Sequence, residues 1–133
     1  MKLKLTVVTP EKKVLETEAD EIQLPGEQGY LGILPGHAAL ITLLKTGILS
    51  YRNGAAAGAL AISAGFAEVL NDLVTVLADL AEDAGEIDVP AAQAERAKAE
   101  EEMKTAGADT LDAIRGRLEL AEARLSVANK AGR

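Results

Sequence analysis

Apolar and polar residues alternate one for one through the first part of the chain, and the period then changes. Leu3, Leu5 and Val7 alternate with Lys2, Lys4 and Thr6, and Ile22 and Leu24 alternate with Glu21 and Gln23. A period of two places the apolar side chains on one face of an extended strand, so these segments predict half-buried strands. FAEVLNDLVTVLAD predicts two strands joined at Asn71-Asp72, with Val74, Val76 and Ala78 on one face. In SYRNGAA, Asn53-Gly54 tolerates positive φ and predicts a tight hairpin turn. Short strands broken by Pro10, Gly26, Gly36, Gly47, Gly54 and Gly65, up to about Leu80, argue for an antiparallel sandwich or barrel.

After Pro90 the period is helical. PAAQAERAKAEEEMK is rich in alanine and charge, with Pro90 in the first turn, where its missing N–H does no harm, and Asp88 placed to cap it. TAGADT breaks the pattern, Gly107 suiting a C-terminal cap. A second helix is expected from about Leu111 to Asn129. Its residues Leu111, Ile114, Leu118, Ala121, Leu125 and Ala128 recur at alternating steps of three and four, a heptad seam. The first helix offers that seam Ala91, Ala92, Ala94, Ala97, Ala99 and Ala106, with Met103 its only large apolar residue. Alanine buries little area: core leucine-to-alanine changes cost roughly 2–5 kcal/mol. The seam leaves two readings open, a hairpin that exchanges its contacts for a partner's and one docked permanently on the sheet. The fold class is α+β, with an N-terminal antiparallel β-sandwich over residues 1–86 followed by a C-terminal antiparallel two-helix hairpin over residues 87–133.

Composition narrows the function. The 133 residues carry a net charge of −7, 2% aromatics and no tryptophan, the opposite of the basic, ring-bearing surface a nucleic-acid binder needs. The charge is unevenly spread. Residues 1–89 hold 6 basic and 13 acidic side chains, residues 90–133 hold 8 of each. The second helix is the basic member of the hairpin, with Arg115, Arg117, Arg124, Lys130 and Arg133. The absence of cysteine removes disulfides, thiolate nucleophiles and sulfur-ligated zinc together. With a single histidine, His37, the chain has no material for a catalytic triad or an imidazole-ligated metal, so no catalytic residue and no metal site is expected. MKLKLTVVTP alternates instead of forming a continuous apolar run, and the uncharged stretch of residues 53–67 is too short and glycine-rich for a spanning helix.

Five segments in order resemble one family: VVTPEKKV at 7–14, GYLGILPGHAALITLLKTG at 29–47, SAGFAEV at 63–69, VTVLAD with EIDV, and RLSVA at 124–128. They look like epsilon subunits of bacterial F-type ATP synthases. The resemblance implies a ten-stranded β-sandwich and a mobile helical hairpin. It also implies a non-catalytic place in the central stalk of a proton-translocating motor, coupling the gamma subunit to the membrane ring of c subunits. The chain would then be peripheral, on the cytoplasmic face of the bacterial plasma membrane, touching the membrane only through the c-ring. Gln28, Tyr30 and Leu31 fall where the family meets the c-ring and gamma, with His37 in the following turn as a structural or interface residue. Extended, the hairpin would insert between gamma and the catalytic beta and alpha subunits and restrain ATP hydrolysis, Arg115, Arg117 and Arg124 meeting an acidic loop.

Some members of that family bind ATP at the domain junction. Glu82, Ile87, Asp88 and Arg124 match their motif, whereas Ala91 and Leu120 stand where two further arginines would be. Guanidinium forks onto phosphate and neither replacement can do so, so no cofactor is required and ATP binding is expected to be weak. An ATP-sensing module is therefore the alternative function. A third reading, a hydrolase using the carboxylates Glu82, Asp83, Glu86 and Asp88, needs acid and base with separated pKa values.

Overall fold

A computed structural model describes residues 1–131. The last two positions of the expected hairpin, Arg133 among them, and the side chain of Lys130 lie outside the described residues. Ten strands come first: β1 (Leu3–Val8), β2 (Lys13–Ala19), β3 (Glu21–Gly26), β4 (Gly29–Ile33), β5 (Leu40–Leu44), β6 (Gly47–Asn53), β7 (Ala56–Ile62), β8 (Gly65–Leu70), β9 (Leu73–Ala78) and β10 (Ala81–Glu82). A 3₁₀ turn (Ala84–Glu86) leads to α1 (Val89–Met103) and α2 (Leu111–Ala131).

The hydrogen-bonded order is β10-β7-β6-β3-β5-β8-β9-β1-β2, with β4 added on β3. β3 and β5 join at one pair only, Gly26 with Leu44. There the ribbon divides into two layers that share one core, including Leu3, Leu5, Ile22, Leu24, Leu49 and Val76. All pairs are antiparallel except β1 with β9, which run parallel. That pairing brings the first strand beside one some seventy residues on, which no local pattern signals. Asn71 and Asp72 both have positive φ, 51° and 63°, the arrangement of a type I′ turn. The other hairpin turn is shifted by one residue. Asn53 pairs with Ala56, so Gly54-Ala55 forms the turn and Gly54, at φ 63°, carries the positive angle.

Asp20, between β2 and β3, links the two layers, joining the start of β1 to the β6–β7 turn. Its carboxylate accepts from the Gly54 N–H at 2.6 Å and pairs with Lys2 at 3.2 Å. The Gly54 bond first, then Lys2, hold its pKa below the ordinary carboxylate value. Because the folded pKa is the lower one, this stabilisation is complete above the unfolded value of about 4 and is lost as pH falls through the folded one. Asp20→Asn is expected to lower Tm by a few degrees at pH 7, with the gap to the native chain closing below about pH 4 in a thermal-melt series.

In the hairpin the expected seam is only partly used. Ala92 and Ala99 are buried, but Ala91, Ala94 and Ala97 face solvent, and on α2 the buried residues among those described are Ile114, Ala121, Ala123 and Val127. Helix α2 has two apolar faces. Ile114 and Ala121 belong to the heptad seam, whereas Ala123 and Val127 pack on Ala61 of β7, flanked by Ile48, Ala59 and Ile87. The hairpin thus lies folded against the sandwich, held through α2. Gly107 is not the C-cap expected. α1 ends at Lys104 with right-handed helical geometry, and the Gly107 carbonyl instead accepts from the N–H groups of Thr110 and Leu111.

Candidate functional site

Two regions hold most of the residues singled out by sequence, while Arg115 lies outside both, on α2 beside Asp112. The first is the junction, where the sandwich, α1 and α2 enclose a cleft of about 430 Å³. Glu82, Asp88 and Arg124 all line it, together with Glu86, Glu95 and Arg117. Ile87 does not: its side chain turns to the apolar contact beneath α2. Ala91 and Leu120 line the cleft, so the positions that lack the motif arginines do face it.

Every charged group there already has a partner. Arg124 Nε donates to Glu82 Oε1 at 2.6 Å, both side chains about three-quarters buried. Arg117 donates through Nη1 to Glu95 at 2.9 Å and through Nη2 to Glu102 at 2.8 Å. Glu102 first and Glu95 second raise the Arg117 pKa. Asp88 accepts from the Ala91 N–H at 3.1 Å, the N-cap expected of it. Asp83 and Glu86 form a reciprocal capping box around the 3₁₀ turn. The Asp83 N–H and Lys12 lower the pKa of Glu86, the wrong direction for a general acid. The four carboxylates of the hydrolase reading thus have structural partners. Among the described residues, no three His, Asp or Glu side chains are grouped to hold a metal.

The second region is the sandwich surface around the Gly-Pro loop. Gln28 stands in the exposed β3–β4 turn. The Tyr30 ring is exposed, but its hydroxyl accepts from the Ile48 N–H at 3.0 Å. Leu31 is half-buried and packs on the core. His37 is held by its own loop: its N–H donates to the Leu34 carbonyl at 3.1 Å. Its Nδ1 lies 2.8 Å from the Ala38 carbonyl, which can only accept, so Nδ1 carries the proton. The loop itself is fastened by Gly36, whose N–H donates to Asp72 Oδ1 at 2.7 Å.

Beside this loop lies a surface that the sequence reading missed. Leu43, Phe66, Leu77 and Val8 stand in register across β5, β8, β9 and β1. Leu43 is 60% exposed and Phe66 43%, and Ile41, Leu70 and Leu73 extend the same outer face. Its signal was present in ITLL and VTVL, where the residues opposite the core face are apolar too. A half-buried strand does not need a second apolar face, and a contiguous exposed one marks an interaction site.

The sandwich with a docked helical hairpin defines a class, and the comparisons agree with it. The family model for the ATP synthase Delta/Epsilon chain, beta-sandwich domain, matches residues 2–84. The ATP synthase epsilon chain of Syntrophobacter fumaroxidans is 47% identical over 131 residues, covering 97% of each chain. The chain therefore belongs to the ATP synthase epsilon-chain family. A chain in the cryo-EM structure of the Euglena gracilis mitochondrial ATP synthase OSCP/F1/c-ring assembly has the same fold, with a TM-score of 0.80 at 22% identity, covering 98% of this chain and 81% of that one. One from the Tetrahymena thermophila mitochondrial ATP synthase central stalk and c-ring gives 0.58 at 20%, covering 100% and 98%.

Proposed function

We propose that this chain is a non-catalytic central-stalk subunit of a proton-translocating rotary ATP synthase, and that it couples the gamma subunit to the c-ring. The exposed apolar row on β5, β8, β9 and β1 carries this reading, because it gives the sandwich a large face that no other element among the described residues covers. On this reading the Gly-Pro loop and the β3–β4 region, with Gln28, Tyr30, Leu31 and His37, meet the c-ring and gamma. No helix among the described residues is long and apolar enough to cross a membrane. Attachment to the cytoplasmic face of the bacterial membrane runs through the c-ring. The hairpin, when it leaves the sandwich, restrains ATP hydrolysis by meeting the catalytic beta and alpha subunits through Arg115, Arg117 and Arg124. No cofactor is required for this role. A triphosphate would enter a cleft lined by four carboxylates and two arginines that are already paired, which supports at most weak ATP affinity.

Removing residues 90–133 tests the regulatory half of the reading. The core of the sandwich lies before Glu82, so the truncated chain keeps its docking face. Motors assembled with it are expected to hydrolyse ATP about fivefold faster or more, the lower end of ordinary coupling between sites. An unchanged steady-state rate in a coupled ATPase assay would remove the inhibitory role.

A further inference from the structure

We propose that Glu82, Glu95 and Glu102 form a ligand-independent latch that keeps the hairpin on the sandwich by occupying the arginines its outside partner needs. The inference rests on the inhibitory reading above and supplies its regulation.

The geometry is specific. Glu95 and Glu102 are seven residues apart on α1, two helical turns along one face. The single guanidinium of Arg117 spans them, one terminal nitrogen to each carboxylate. Arg124, seven residues further along α2, continues the stripe and reaches Glu82 at the end of the sandwich. One charged stripe of α2 is thereby fastened to both α1 and the β-body. The apolar fasteners beside it are mostly small: Ala92, Ala99 and Ala121 in the hairpin, where Ile114 is the one large buried side chain among the described residues, and Ala123 and Val127 against Ala61 on the sheet. With so little area buried, the charge pairs carry a larger share of the closed state than such pairs usually do.

A guanidinium forked onto internal carboxylates cannot at the same time fork onto an acidic surface of another protein. Closed and extended hairpins are therefore competing uses of Arg117 and Arg124. Arg115 differs. It lies 3.7 Å from Asp112, whose side chain is almost wholly exposed, so it remains available to an acidic partner while the hairpin is closed. The cations that could hold a triphosphate are the ones the latch occupies, so closure needs no nucleotide.

Amide exchange on the full-length subunit tests the latch. Glu82→Gln, Glu95→Gln and Glu102→Gln together are expected to speed exchange of the α2 amides of residues 121–127 about tenfold, with the sandwich unchanged, as three partly screened pairs would predict. Glu100→Gln, Glu119→Gln and Glu122→Gln remove as much charge from exposed positions of the same helices and should leave exchange as it was. Millimolar ATP should not slow α2 exchange in the native chain. The latch is overturned if the first triple leaves α2 exchange unchanged, if the control triple matches it, if the sandwich loosens equally, or if ATP alone restores protection tenfold. In assembled motors the first triple should lower ATP hydrolysis. If α2 exchange rises as expected but hydrolysis does not move, the latch stands and the inhibitory role of the tail fails.

Discussion

A subunit carrying Phe66→Glu and Leu77→Glu is expected to fold as the native chain does and to fail to join the rotor. The two side chains face each other in register across β8 and β9, on the outer surface of the sandwich. They are 43% and 38% exposed. In the free subunit a glutamate at either position projects into water, and the cost is the modest repulsion of like charges across neighbouring strands. In a docked interface each would be an ionised carboxylate taken out of water with no partner. Central apolar anchors of an interface are commonly worth about 2 kcal/mol or more each. Two of them lost, at 1.4 kcal/mol per tenfold, correspond to roughly a thousandfold weaker binding. Titration of the purified shaft subunit with each chain measures the loss, and a thermal melt shows that the fold survives. Binding at native affinity by a folded double variant would place the gamma contact on another face.

Gly65→Ala should be the most damaging single-methyl change in the sandwich. Gly65 opens β8 and pairs with both Leu44 of β5 and Ala78 of β9. A Cβ there would lie 1.9 Å from the Leu77 carbonyl oxygen and 2.8 Å from the Ala78 Cα. Both are backbone atoms of the neighbouring strand, so no side-chain rotation relieves the contact, and the strand must move in the middle of a closely packed layer. Overpacking of this kind costs about 3 kcal/mol at the upper end of its usual range. For a domain of this size that is a fall in Tm of more than about 10 °C. A Gly65→Ala chain melting within two or three degrees of the native one would show that β8 and β9 have room the structure does not indicate.

Several elements could be read from the residues because their causes are local. The two-residue alternation of β1 and β3, the positive-φ turn at Asn71-Asp72 and the Asp88 cap each depend on side chains within a few positions of one another. The same holds for the change to a helical period after Pro90. The junction was legible in part, since Glu82, Asp88 and Arg124 do meet in one cleft. Ile87, next to Asp88, points the other way, because the chain entering α1 turns it under α2.

Sequence by itself determined that strands come first and helices follow Pro90, and it located β1, β3, β8, β9 and both helices, since φ preference, capping and hydrophobic period act over one or two turns of chain. Tertiary structure alone decided which faces meet. The Arg124–Glu82 pair joins residues 42 apart, and β1 reaches β9 across almost the whole sandwich. The heptad spacing of α2 gave its contact with α1, but Ala123 and Val127 lie off that seam, and their burial depends on where Ala61 of β7 has been carried by the sheet. The apolar row through Phe66 and Leu77 looks, in one dimension, like ordinary strand composition. It becomes a surface only when four strands are set side by side in register and none of the described residues folds back to cover them.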